Sequence, residues 1–231
     1  IQMSETVTIE NLLVPLKAFD VIPFLQYIQP RLAPEANIVL CHNGMGTIAP
    51  ACRLLPPDRQ LYFCTTSSGA YKNQEHVVLA GLGNAYWSKI PRDKDASDKR
   101  PSELTNQDFV QTFHHAEHCP DLDSILWQKL MINCVINPLT AIHRISNGAL
   151  AQPQYLVEKV RILEEFLSVA HHVGIVKTAE QALYEVEAVI RITGQNTSSM
   201  LQDIQAGRAT EIDYINGFLI AQAKALGISC P

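Results

Sequence analysis

Lys129, Asn133 and Asn137 recur at every fourth position of an otherwise apolar run, KLMINCVINPLTA, residues 129–141. On a helix that spacing stacks an ammonium and two carboxamides on one face. Asn is a mediocre helix former, because its side chain competes for backbone hydrogen bonds. A polar stripe on an apolar helix meets either a bound polar ligand or solvent, and a solvated face is the plainer alternative. Pro138 lacks an N–H and its ring crowds the preceding turn, so the helix is expected to bend or break there.

Three further groups could carry chemistry. Ser198 and Ser199 stand at a helix start, where free N–H groups favour an anion, and Glu211 is expected in the first turn of the next helix. Routine helix capping explains the same residues. In His42-Asn43-Gly44-Met45-Gly46-Thr47, a strand passes into a helix, and the two glycines would let backbone approach a ligand closely. Such a turn at the carboxyl end of a strand in an open α/β sheet is where ligands bind, and it is also an ordinary strand-to-helix connection. Lys17 closes an apolar strand and either snorkels to water or faces the same crevice as Asn43. His114 and His118 are four apart, but without a further ligand set or an HExxH spacing no metal site is expected.

The surrounding pattern changes class part-way along. Short apolar runs at 11–18, 37–41, 60–64 and 76–80 have strand length and β-branched or aromatic content. Helical stretches at 20–32 and 47–55 alternate with them, which predicts βαβ units and a mostly parallel sheet. Runs 76–80 and 84–88 are expected to pair as a hairpin across Gly81-Leu82-Gly83. Residues 92–102 read as a charged loop, 107–113 as a helix, and 114–120 as an irregular link. From 121 onward everything is helical: 122–137, 155–173 closed by Gly174, 178–193 with a Thr178/Gln181 capping box and closed by Gly194, 198–206 closed by Gly207, and a last helix from about 210 to Gly227. The fold class expected is therefore α/β plus all-α, with domains at 1–120 and 121–231.

Composition narrows the partners. The net charge of −5 gives no general affinity for nucleic acid or an anionic membrane. No uninterrupted apolar run approaches the roughly eighteen residues of a membrane helix. The N-terminal residues lack the basic and apolar regions of a signal peptide. Six scattered cysteines without CxxC spacing point to a reducing compartment, so a cytoplasmic protein is expected.

Taken together, the segments HNGMGT (42–47), KLMINCVINPLTA (129–141), SNG (146–148) and SSMLQDIQAGRATEIDYINGFL (198–219) resemble the ketopantoate reductase (2-dehydropantoate 2-reductase) family in content, order and spacing. The resemblance spans essentially the whole chain. It implies a Rossmann-type NADPH domain followed by a helical domain for substrate and dimerisation, hence a homodimer, with the active site between the two. Lys129 matches the family's catalytic lysine and Glu211 its substrate-binding glutamate. Asn133, Asn137, Asn147 and Ser199 fall on its substrate contacts, and Lys17 and Asn43 on cleft residues from the cofactor side.

The implied reaction, NADPH-dependent reduction of ketopantoate to pantoate, suits these residue types. Hydride attack on the C2 ketone builds charge on oxygen, which an ammonium can stabilise and protonate. Burial would lower a lysine's pKa from about 10.4 and favour that donation. The family's glycine-rich turn has no counterpart here. The chain reads as starting inside the cofactor domain, near its fourth strand, and as ending before the family's usual final helix. By itself it is expected to bind NADPH poorly, and so to be inactive. Rival readings are another 2-oxo acid reductase on the same plan and a non-catalytic binding module.

Overall fold

The computed structural model describes residues 8–73, 76–92 and 103–230. The expected charged loop at 92–102 lies, apart from Arg92, outside them, as does most of the N-terminal stretch compared with a signal peptide. The chain divides into two compact units, Ile1–Leu122 and Asp123–Pro231.

The first unit is built on a five-stranded sheet in the order β1-β2-β3-β6-β7. Strands β1 (Ile9–Val14), β2 (Leu32–Leu40) and β3 (Gln60–Thr66) run parallel. Helices α1 (Ala18–Ile28) and α2 (Ile48–Leu54) make the two crossovers. Pro23 is accommodated inside α1, within its early turns. The inner runs of β2 and β3 are buried on both faces, Ala36–Leu40 and Leu61–Thr65 alike, as parallel strands between layers require. These are Rossmann-like parallel strands in a mixed α/β sheet.

Two expectations about this unit are corrected. Residues 76–80 and 84–88 do not form a hairpin. Strand β5 (His76–Gly81) pairs instead with β4 (Gly69–Asn73) in a separate two-stranded sheet, while β6 (Ala85–Lys89) pairs antiparallel with β3. The cause is burial. Ala85 and Trp87 face a core containing Val39, Tyr62, Cys64, Phe109 and Ala116, whereas Val77 and Leu79 are exposed. The supposed irregular link also contains a strand, β7 (Ala116–His118), parallel to β6 and reached through α3 (Asn106–Thr112). A Thr105/Asp108 capping box starts α3, and Phe109 stacks on Trp87 at 4.0 Å between ring centroids.

The second unit is helical. Helix α4 (Leu122–His143) supplies its apolar centre through Trp127, Leu130, Met131, Cys134, Val135 and Leu139. The Trp127 ring meets Phe166 of α5 (Leu156–Ala170) and Phe218 of α8 (Asn216–Leu226) edge-on. Helix α6 (Ala179–Ile192) buries Ala182, Val186 and Ile190, one per turn, and opens with the expected Thr178/Gln181 capping box. The short α7 (Ser199–Gln205) follows. Gly174, Gly207 and Gly227 take left-handed conformations at the stops expected of them, whereas Gly194, the stop expected after α6, does not and instead lies against Gly148. Among the described residues α4 alone has the length and hydropathy of a membrane span, but 61% of the qualifying window is buried against the protein itself.

Two helix boundaries differ from expectation. Helix α4 does not break at Pro138 and continues to His143. The final helix starts at Asn216 rather than near 210, after a short 3-10 turn, Ile212–Tyr214. Ile215, at φ −105° and ψ −89°, interrupts the helical path between them.

Candidate functional site

Lys129, Asn133 and Asn137 lie on one face of α4. That face is only partly solvated: Lys129 and Asn133 are half-buried, and Asn137 is 6% exposed. The stripe therefore sinks into the protein along its length.

Glu211 is 4% exposed. It precedes the 3-10 turn rather than opening a helix, and its carbonyl accepts from the N–H groups of Tyr214 and Ile215 at 3.0 and 3.1 Å. Its carboxylate is thus carried on a tight turn that leads directly into α8.

The two serines divide their duties. Ser198 is the N-cap of α7: its Oγ accepts from Leu201 N–H at 3.1 Å and from Thr140 Oγ1 at 2.7 Å. Ser199 is the first helical residue and is exposed. Capping, one of the two readings of this pair, therefore holds for Ser198 and leaves the Ser199 hydroxyl available. Thr140, fully buried, links α4 to the start of α7 and went unnoticed in the sequence because a threonine in an apolar run carries no distinctive signal.

Asn147 is also buried, in a 3-10 turn (Asn147–Ala151). Its Nδ2 donates to Thr193 Oγ1 at 3.0 Å, and its Oδ1 has no partner among the described residues. The turn is pinned by backbone: Asn147 N–H donates to the Asn196 carbonyl and Gly148 N–H to the Gly194 carbonyl, each at 3.0 Å. A Cβ on Gly148 would lie 2.8 Å from the Gly194 oxygen, so only glycine fits this approach. Lys159, 1% exposed, secures the other end of the turn by donating to the Leu150 carbonyl at 2.6 Å and pairing with Glu187.

In the first unit, Lys17 does not close a strand as expected but is the N-cap of α1, since β1 ends at Val14; Lys17 and Asn43 each stand three residues beyond the carboxyl ends of adjacent parallel strands, β1 and β2. Their backbones are tied where Cys41 N–H donates to the Val14 carbonyl at 3.1 Å. Gly44 and Gly46 both have positive φ, 75° and 104°, as a tight turn there demands. Buried His42 braces that turn. Its Nδ1 lies 2.8 Å from the Asn43 carbonyl, which can only accept, so the proton sits on Nδ1 and Nε2 accepts from Thr47 Oγ1 at 2.7 Å.

No cluster of three metal-ligating side chains occurs among the described residues. An open groove of about 790 Å³ beside α5 and α6, with Leu167, His171, Val176 and Lys177 in its lining, contains none of the candidate residues.

Sequence comparison gives the family. The family model described as "Ketopantoate reductase PanE/ApbA" matches residues 2–92, and its C-terminal companion matches residues 121–231. The 2-dehydropantoate 2-reductase of Shigella flexneri is 37% identical over 225 residues, covering 97% of this chain and 71% of the relative. The chain belongs to the ketopantoate reductase family. This is a family of oxidoreductases on a Rossmann-type NAD(P)-binding fold, named for a step of pantothenate biosynthesis. The Vibrio cholerae enzyme of the same name is 35% identical, covering 95% of this chain and 73% of that one.

Among solved structures, a probable 2-dehydropantoate 2-reductase from Bacillus subtilis superposes with a TM-score of 0.72 at 28% identity, covering 98% of this chain and 75% of its own. A D-mandelate dehydrogenase in complex with NADH and anilino(oxo)acetate gives 0.84 at 22% identity, covering all of this chain and 74% of its own, a likeness of fold.

Proposed function

We propose that this protein reduces 2-dehydropantoate (ketopantoate) to pantoate with a nicotinamide cofactor, NADPH, and that Lys129 is the general acid. The carrying observation is the unbroken face of α4, which supports a polar recess lined by Lys129, Asn133 and Asn137. The relatives' shared name supports the reaction, and the NADH complexes among dehydrogenases of this fold support a nicotinamide cofactor.

When bound, the reduced cofactor supplies a hydride to C2 of the ketone. The chain's residues do the rest. The Lys129 ammonium attracts the ketone oxygen, stabilises it as charge develops, and gives it a proton, leaving a neutral amine that regains a proton from solvent. Asn133 and Asn137 orient the ketone and the product hydroxyl without adding charge. Asn147 offers its unpartnered Oδ1 to a donor on the substrate. Ser199 donates to the carboxylate, and Glu211 accepts from the terminal hydroxyl.

Lys17 and Asn43 take the cofactor side of the first unit. The positive-φ glycines beside Asn43 fit a close backbone approach to a sugar or nicotinamide. Because these 231 residues hold no GxGxxG turn, the reading has them binding NADPH weakly by themselves. We further propose a cytoplasmic homodimer. Six free cysteines support the compartment, and a relative from Staphylococcus aureus described as dimeric supports the assembly.

The test is NADPH oxidation by the full-length gene product. Ketopantoate-dependent oxidation is expected. Turnover of another 2-oxo acid in its place would move the assignment to that substrate, and no turnover of either would favour a binding module.

A further inference from the structure

Pro138 poses a problem that α4 solves without breaking. In a regular helix the carbonyl of Cys134 would accept from the N–H of residue 138, and proline has none. Cys134 is buried, so water cannot take that place. The missing donor comes from another element: Asn216 Nδ2 donates to the Cys134 carbonyl at 3.1 Å. The amide's orientation follows from the acceptor, since the flipped rotamer would set Oδ1 against a carbonyl oxygen. In the observed orientation Oδ1 is buried and has no partner among the described residues, so the side chain gives up one of its own bonds to supply that donor.

The positions of both partners matter. Cys134 lies between Asn133 and Asn137, and Asn216 is the first residue of α8, five beyond Glu211. One bond therefore holds the α4 backbone at its proline and anchors there the turn that carries the Glu211 carboxylate. We propose that Asn216 is a positioning residue: it replaces the hydrogen bond that Pro138 removes, and so fixes the spacing of Asn133, Asn137 and Glu211. Its role in substrate affinity rests on the functional reading above, whereas its role in α4 does not.

The proline makes a specific test available. Restoring an N–H at position 138 should make Asn216 dispensable. Amide hydrogen exchange over residues 134–143 and the KM for ketopantoate are measured in the full-length gene product, for wild type, Asn216→Ala, Pro138→Ala and the double variant. Asn216→Ala should exchange about two- to tenfold faster in this segment, the range expected for one net backbone hydrogen bond. It should raise the KM for ketopantoate by a similar factor and leave the KM for NADPH unchanged.

In the Pro138→Ala background the same substitution should change neither quantity. If Asn216→Ala alone does not fold, recovery of a folded, slowly exchanging double variant supports the proposal. Unchanged exchange in Asn216→Ala overturns it, as does a double variant no better than Asn216→Ala alone. Unchanged KM alongside faster exchange overturns the positioning role. A wild type that neither turns over nor binds ketopantoate, with the exchange rescue intact, counts against the functional reading instead.

Discussion

Glu211 shows how burial turns a common residue into an informative one. An acid near a helix start is ordinary capping chemistry, but Glu211 is only 4% exposed, which is rare for a carboxylate. Accepting a hydrogen bond from a substrate hydroxyl is the role proposed for it. Replacing it by alanine is expected to raise the KM for ketopantoate about 10- to 100-fold, as for a hydrogen bond to a charged group. The affinity for NADPH, followed by fluorescence titration, should be unchanged. Equal loss of both would remove Glu211 from the substrate side.

The cysteines give the pH dependence at this scale. Burial pushes the thiol of Cys134 up, and burial with a hydrogen bond to Glu165 pushes that of Cys230 up from 9.0 to about 11. The folded chain therefore favours the protonated forms. That contribution is complete below the unfolded thiol pKa of about 9 and is lost as pH rises toward the folded values. Urea melts at intervals from about pH 8 to 11 should show wild type losing stability more steeply than a Cys134→Ala, Cys230→Ala double variant. Equal slopes would contradict the assignment.

At the scale of elements, local signals were legible and cross-chain ones were not. Gly174, Gly207 and Gly227 announced their stops because a left-handed cap is a property of one residue. The Thr178/Gln181 box likewise needs only four residues. Pro138 misled because its effect depends on Asn216, which bonds to a carbonyl 82 residues away in sequence. A close reading could have foreseen that a buried Cys134 carbonyl needs some donor, though not which. Strands 76–80 and 84–88 looked like a hairpin because they are adjacent. Their true partners were chosen by the aromatic core around Trp87, whose members come from several distant segments. The candidate residues themselves were legible by type and spacing, while their burial was not.

The turn carrying Asn147 offers an element-scale test. Gly148→Ala must displace backbone, since the added Cβ meets the Gly194 oxygen and Cα at 2.8 and 2.9 Å. A loss of about 1–3 kcal/mol in urea melts is expected, as for other overpacked sites. Asn147 should shift with the turn, raising the KM for ketopantoate. A variant as stable as wild type with unchanged KM would show that this approach is looser than the geometry implies.

In the whole molecule, each unit makes a different contribution. The sheet of the first places Lys17 and Asn43 beyond the carboxyl ends of neighbouring parallel strands, and the second carries Lys129, Asn133 and Asn137 on α4, Asn147 on a 3-10 turn and Glu211 on the turn before α8. Family membership covers both units. The central claim is that the Lys129 ammonium protonates the reduced ketone. It is tested most directly by steady-state NADPH oxidation with saturating ketopantoate, comparing wild type with Lys129→Ala. A fall in kcat of about 10²- to 10⁴-fold, with the fold unchanged by circular dichroism, is the expected result. Normal turnover by Lys129→Ala would contradict it.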